Sequence, residues 1–257
     1  MTDAPPEQDP PVVSVITPCF NSARFITQTI ASVQAQSCGA WEMLLADDVS
    51  SDNTREIIEA LAAEDPRLRL IRREANGGPA AARNSALAEA RGRYIAFLDH
   101  DDLWRPDKLS RQLAFMAETD CAISYTAYRR VSARDGKPGG LIRVPPTMTY
   151  DRLLKHTAIA NLTAMIDQAK TGPIRVPEMP YDDYALWLSL LRKGFTARGL
   201  NEDLARFRVV EGSSSSRKHQ AVAWVWRIYR HQERLSVVRA LWCVAHYVGR
   251  AALKHLK

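Results

Sequence analysis

Cysteine is sparse in this chain and scattered: Cys19, Cys38, Cys121 and Cys243 are the only four among 257 residues, and no two form a C-x-x-C pair. That spacing argues against a zinc site or a disulfide scaffold and fits reduced thiols in a cytoplasmic protein. Long apolar runs are also missing. The best, Ala240–Gly249, contains His246 and is bracketed by Arg239 and Arg250, well short of the about 18–20 consecutive apolar residues of a membrane span. The first eleven residues are rich in proline and acid and lack the basic and apolar regions of a signal peptide. They are expected to be a disordered lead-in. No G-x-G-x-x-G follows an expected strand, which removes the dinucleotide-binding dehydrogenases. No internal repeat is visible.

What is present is ordinary globular material: 46% hydrophobic and 25% charged residues, enough apolar content to exclude a disordered or collagen-like chain. The formal charge of +6 is unevenly divided. From Arg217 to Lys257 nine basic residues face the single acid Glu233, a local +8 that leaves the first 216 residues at −2. A mildly acidic body with a basic tail points to a separate partner for the tail. Nucleic acid is a poor fit, because no recognised binding module accompanies the charge.

A short apolar run rich in β-branched residues at Val12–Thr17, and further short runs at Trp41–Ala46, Leu68–Arg72 and Tyr94–Leu98, read as strands. Helical spacing fills the intervals: Arg24–Gln36, a helix capped at Ser51-Asp52 and running to Ala63, and Ala80–Ala90. A helix over Lys108–Glu118 and a strand over Ala122–Val131 follow. This alternation predicts an α/β fold of parallel βαβ units, in which ligands bind beyond the carboxyl ends of the strands. Further on, the expectations are helices at Tyr150–His156 and Asp182–Lys193, strands at Leu162–Ile166 and Leu204–Val210, turns at Asp135-Gly136 and Gly139-Gly140, and a flexible loop from Gly212 to Ser216. The remainder is helical in composition, with a break near Leu235-Ser236.

The polar clusters fall at strand ends. Asp99, Asp101 and Asp102 lie within four residues and repel one another unless a cation holds them; hard divalent cations such as Mg2+ take carboxylates together with substrate phosphates. A solvated acidic turn is the alternative. Asp48 ends the second strand with an acceptor free for the edge of a base, while Asp52 is equally suited to cap the next helix. Asn76-Gly77-Gly78, followed by Arg83, can bring backbone amides and a guanidinium to phosphate or base, or form only a turn.

Taken in order, Val15–Asn21 (VITPCFN), Asp47–Thr54 (DDVSSDNT), Asn76–Asn84 (NGGPAAARN), Tyr94–Asp102 (YIAFLDHDD) and Pro106–Leu109 (PDKL) resemble inverting family-2 glycosyltransferases. The likeness is strong over about residues 12–110 and weaker beyond. It implies a GT-A fold, a Rossmann-like and mostly parallel mixed sheet flanked by helices. It also implies roles. Phe20, where an aromatic is usual, would stack on the nucleotide base, and Pro18 would approach the base through its backbone. Asp48 would accept from the base, with Arg83 close to the nucleotide. Asp99 and Asp101 match D-x-D positions that hold ribose and the Mg2+ or Mn2+ bridging a diphosphate. His100 departs from the more usual serine.

Tyr181–Trp187 (YDDYALW) looks like the family's Glu-Asp-x-x-Leu-Trp segment, with Asp183 at the general-base position and Asp182 replacing glutamate; plain helix capping is the alternative. Phe207–Lys218 resembles a stretch in teichuronic-acid and exopolysaccharide members, so that Arg208 or Lys218 would reach the diphosphate as the serine-rich loop closes, unless that loop is merely solvated. The organisation expected is a lead of residues 1–11 and a catalytic unit of residues 12–216, divided into a nucleotide-sugar half (12–110) and an acceptor half (111–216). A basic amphipathic tail (217–257) completes the chain.

The tail interleaves Trp224, Trp226, Tyr229, Trp242 and Tyr247 with arginine and lysine, the composition of an interfacial element on an anionic membrane. Packing of its aromatic face on the body is the alternative. The function expected is transfer of a sugar from a nucleotide diphosphate donor, UDP-linked by family resemblance, to a lipid-linked or polymeric glycan at the inner membrane face. Two rivals remain at this point. One is a phosphatase of the haloacid-dehalogenase type, suggested by Phe97–Asp101. The other is an inactive nucleotide-sugar-binding protein that docks at membranes.

Overall fold

The computed structural model describes residues 10–210 and 218–253. The expected lead-in (residues 1–9 of it), the Gly212–Ser216 loop and the last four residues lie outside this set. Four strands, β1 (Val13–Cys19), β2 (Trp41–Asp47), β3 (Leu68–Arg72) and β4 (Tyr94–Phe97), alternate with α1 (Ile26–Gln34), α2 (Thr54–Glu64) and α3 (Gly78–Ala88). Then come β5 (Leu103–Trp104), α4 (Lys108–Thr119), β6 (Ile123–Ser132), β7 (Pro138–Ile142), β8 (Thr147–Met148) and α5 (Tyr150–Leu153). The chain continues through β9 (Met165–Asp167), α6 (Gln168–Thr171), α7 (Asp182–Arg192), β10 (Ala197–Val209), α8 (Lys218–Arg227) and α9 (Val237–Leu253).

These strands form one mixed sheet in the order β3-β2-β1-β4-β9-β6-β10-β5, with β7 on β6 and β8 on β10. The first four are mutually parallel, as short strands joined by helices predict. β9 enters antiparallel to both β4 and β6 and joins that half to the parallel pair β6/β10. Register decides where the site falls. Cys19 pairs with Asp47 and Ile16 with Phe97, so the segments leaving β2, β1 and β4 emerge side by side at one edge. Two further bonds, Asp48 N–H to Cys19 O (2.8 Å) and Leu98 N–H to Ile16 O (3.1 Å), extend that alignment into the polar segments.

Each face of the sheet carries a core. Ile26, Ile30, Val33, Ile58, Leu109 and Met116 cover one side. On the other, α3 and α7 pack with Trp187, whose ring meets Phe97 edge-on at 5.8 Å. Val225, Ile228 and Tyr229 after β10, with Leu235, Ala240 and Cys243 further along, belong to this second core. The Tyr229 hydroxyl lies 2.8 Å from that of Tyr184 on α7. The C-terminal helices are therefore stitched to the body by their apolar side.

Several elements differ from expectation. β10 begins seven residues before Leu204, and Gly139-Gly140 lies inside β7 instead of in a turn. The helix at 150 stops at Leu153, and the strand expected at Leu162–Ile166 is a 3-10 turn (Asn161–Thr163) followed by β9.

Candidate active site

The loop after β1 is laced to the loop after β2. Asn21, in the left-handed region at φ 49°, accepts from Ser51 N–H at 2.9 Å, and Ser22 N–H donates to Thr54 Oγ1 at 2.7 Å. Asp52 accepts from the amides of Ala23 and Thr54, both at 3.1 Å. It joins two loops and accepts from the first amide of α2, whose N-cap position is Asn53 and not the expected Ser51-Asp52. Phe20 stands at the edge of this structure with 48% of its surface exposed, an open aromatic face at the mouth of the site. Pro18 lies beside it in β1, and its carbonyl is 3.3 Å from His100 Nδ1. His100 thus ties the acidic loop to the end of β1, which gives the departure from serine a physical role.

The two aspartates closing β2 are not equivalent. Asp47 is buried inside and paired with Arg55 Nε at 2.5 Å. Asp48 faces the site but is already well supplied with donors. It is ion-paired with Arg73, and its carboxylate accepts from Gly77 N–H (3.1 Å) and Gly78 N–H (2.7 Å). The Gly77 and Gly78 amides therefore meet a carboxylate of the chain itself, not an open anion site. Gly78 sits at φ +81°, a conformation that glycine adopts without strain. Arg73 has no motif to announce it beyond its position after β3.

Past β4 the carboxylates crowd. Asp99 accepts from Arg83 Nη2 at 2.5 Å and from Asn161 Nδ2 at 3.3 Å. Asp101 accepts no hydrogen bond from another residue among those described. Burial pushes Asp101 above the ordinary carboxylate range, with Asp99 adding to it against the opposing His100 ring. Asp102 is buried, takes Arg208 N–H at 2.8 Å, and is raised well above the usual range by burial and then by Asp101 and Asp99. Excess negative charge on oxygen donors suits a hard divalent cation. Among the described residues no three or more His, Cys, Asp or Glu groups are arranged to hold a metal. Asp99 and Asp101 are the carboxylates here that could serve as ligands together with substrate phosphates.

Arg83 joins this cluster to the second half of the chain. Only 6% exposed, it sends Nη2 to Asp99 and Nη1 to Asp182, each at 2.5 Å. Burial works against its charge, but Asp99 and Asp182 outweigh that and hold the guanidinium protonated. Asp182 and Asp183 open α7 just after Tyr181, which is itself left-handed at φ 62°. The Asp183 carboxylate accepts from Tyr184 N–H at 2.7 Å. Burial, then the adjacent Asp182 charge, push it up to about 6, against the pull of Arg83. A carboxylate so tuned can take a proton near neutral pH. Tyr181 stacks on Trp224 of α8 at 5.6 Å, a contact no motif predicts.

Arg208 lies on the far side of Asp102. It donates to Gln28 Oε1 at 2.8 Å and covers the Phe25 ring at 4.4 Å. Lys218 opens α8, and its side chain lies outside the described residues. A haloacid-dehalogenase arrangement would set the aspartate pair after the first strand; here it follows β4.

The family model for glycosyl transferase family 2 matches residues 14–170. The TuaG glycosyltransferase of Bacillus subtilis (strain 168), assigned by name to teichuronic acid biosynthesis, is 48% identical over 248 residues, 96% of this chain and 98% of that protein. An Escherichia coli protein, WfgD, named as a UDP-Glc:alpha-D-GlcNAc-diphosphoundecaprenol beta-1,3-glucosyltransferase, is 35% identical over 84% of this chain and 85% of its own length. Among solved structures, S. aureus TarS 1-349 in complex with UDP-GlcNAc superposes with a TM-score of 0.71 at 22% identity, covering 93% of this chain and 72% of that one. That likeness shows the GT-A fold.

Proposed function

Since the chain belongs to glycosyl transferase family 2, we propose that it moves a sugar from a UDP-linked donor to a hydroxyl of a lipid-linked or polymeric glycan, with inversion at the anomeric carbon, in cell-surface polysaccharide synthesis. The observation that carries this reading is the Arg83 bridge, which draws the Asp99 and Asp182 carboxylates to one guanidinium. Phe20 offers its exposed ring to the base. Asp48 accepts from the base edge by exchanging one present donor, Arg73 or a glycine amide, for it. Asp99 takes the ribose. Asp99 and Asp101 would hold Mg2+ or Mn2+, which when bound neutralises charge developing on the leaving diphosphate. Asp183 removes the proton of the acceptor hydroxyl as that oxygen attacks, and Arg83 keeps Asp182 from competing for it. Arg208, and Lys218 from the far side of the serine-rich loop, approach the diphosphate.

In this reading residues 12–216 form the catalytic unit, 12–110 serving the donor and 111–216 the acceptor. Residues 217–257 serve a second partner, an anionic membrane surface. The support is the outward face of α9, where Val238, Leu241, Trp242 and Val248 are exposed while Ala240 and Cys243 turn to the core. The enzyme would act peripherally at the cytoplasmic face. No helix among the described residues is long and apolar enough to cross a membrane.

The test is Asp183→Asn. Transfer from a UDP-sugar with Mn2+ should fall by about 10²–10⁴-fold, while calorimetric UDP affinity holds within error. Undiminished transfer would remove Asp183 as the base. A wild-type chain that binds UDP-sugars yet neither transfers nor hydrolyses them would favour the inactive binding-protein alternative.

A further inference from the structure

A cleft of about 640 Å³ opens between α1, β5 and the β6–β7 hairpin, within the range of about 300–1,000 Å³ usual for small-molecule sites. Four arginines line it, Arg105, Arg129, Arg206 and Arg208, and none of its lining residues is acidic. The countercharge is thin. Asp203 alone serves two of them, accepting from Arg129 Nε at 2.8 Å and from Arg206 Nη1 at 2.5 Å. Arg208, stacked on Phe25, shares the field of Asp101 and Asp102. Arg105 is exposed and its guanidinium makes no ion pair among the described residues.

Asp203 offsets two of the four guanidinium groups, and the lining as a whole stays positively charged. Arginine forks are the usual means of gripping phosphate oxygens. Pro18, Phe20, Asp48, Asp99 and Asp183 are all absent from the lining, and the cleft touches the donor side only through Arg208.

We propose that this cleft binds a phosphate group of the acceptor, the phosphodiester or diphosphate that carries the glycan, while the donor diphosphate lies at Asp99 and Asp101. The inference rests on the glycosyltransferase reading, which makes the ligand an acceptor. It narrows the acceptor class to phosphate-bearing glycans. It also assigns Arg105, Arg129 and Arg206 to acceptor binding, with Arg208 between the two anions.

Inorganic phosphate is titrated into the full chain already saturated with UDP and Mg2+, and backbone amide NMR shifts are followed. A saturable response centred on the cleft is expected. It should weaken at least about tenfold in Arg105→Gln/Arg206→Gln, with UDP affinity held within about twofold. Arg105→Gln alone, at an exposed and unpaired position, should weaken it about threefold and serves if the double variant folds poorly. A short-chain prenyl diphosphate and a soluble poly(glycerol phosphate), titrated in the same way, identify the source by which one binds more tightly. Three outcomes overturn the proposal: no saturable response, phosphate affinity in both variants equal to that of the unmodified chain, or phosphate displaced by UDP, which would make the cleft part of the donor site. Failure of UDP itself to bind would sink the donor reading instead, and the phosphate titration is then read without nucleotide.

Discussion

As the proposed base, Asp183 would have to lose a proton before accepting one from a hydroxyl, and its surroundings make that loss late. Burial and the charge of Asp182 push it up to about 6, so kcat should climb as pH rises through that value. Asp182→Asn removes the adjacent negative charge, keeps an oxygen for Arg83 and should move the acid limb to lower pH. A pH–rate profile of both proteins checks this, and an unmoved limb would mean that another group titrates. Stability runs the other way. The folded chain holds this proton more tightly than the unfolded one, so the contribution of Asp183 declines as pH rises from the ordinary carboxylate range through about 6. Asp48, Asp99 and Asp101 were legible from sequence because strand ends concentrate them, whereas Phe20 and Asp183 were picked out only by the family resemblance. Arg73 and Asn161 were not legible. They reach the same carboxylates from the end of β3 and from a 3-10 turn, and a side chain's reach across such distances leaves no local pattern.

The start of α7 shows how whole elements hold that chemistry. Tyr181 is left-handed, a conformation that costs a non-glycine residue of order 1 kcal/mol or more, and its ring is held against Trp224 of α8 and Tyr184 of α7 itself. Trp224→Ala should therefore loosen the turn that aims Asp183. The expected outcome is a fall in kcat of about tenfold with UDP affinity unchanged; steady-state kinetics beside calorimetry would show it, and an equal loss of both would indicate general unfolding. Element legibility followed burial. β1 to β4 are short and mostly apolar, though Ser14, Thr17 and Glu42 are buried in them, and they stand out. β10 does not: Arg198, Asn201, Glu202 and Asp203 interrupt it, and its register slips between Leu200 and Ala205. β7 was hidden by Gly139-Gly140, which read as a turn although they lie inside an exposed strand, at the register shift between its paired residues Pro138 and Leu141.

Across the whole molecule the division of charge fits its geometry. Asp48, Asp99 and Asp101 gather at one end of the sheet, while α9 turns Ala240 and Cys243 to the core and an apolar ridge outward. Composition alone could not say which aromatics would be internal. Tyr229 is buried with its hydroxyl bonded to Tyr184, whereas Trp242 is 60% exposed. Full-length protein should float with vesicles of mixed phosphatidylglycerol and phosphatidylcholine and much less with phosphatidylcholine alone. Leu241→Ser/Trp242→Ser should weaken that association at least about tenfold, since two exposed apolar anchors are lost. Equal flotation of the variant would remove α9 from the contact. Arg83 has a consequence of another kind. A single guanidinium satisfies two carboxylates far apart in the chain, Asp99 and Asp182. The segments that carry them are thus not interchangeable parts: a chimera joining residues 12–110 to the remainder of a relative inherits Arg83 but not its Asp182. Such recombination can preserve the site only between proteins that match at both positions.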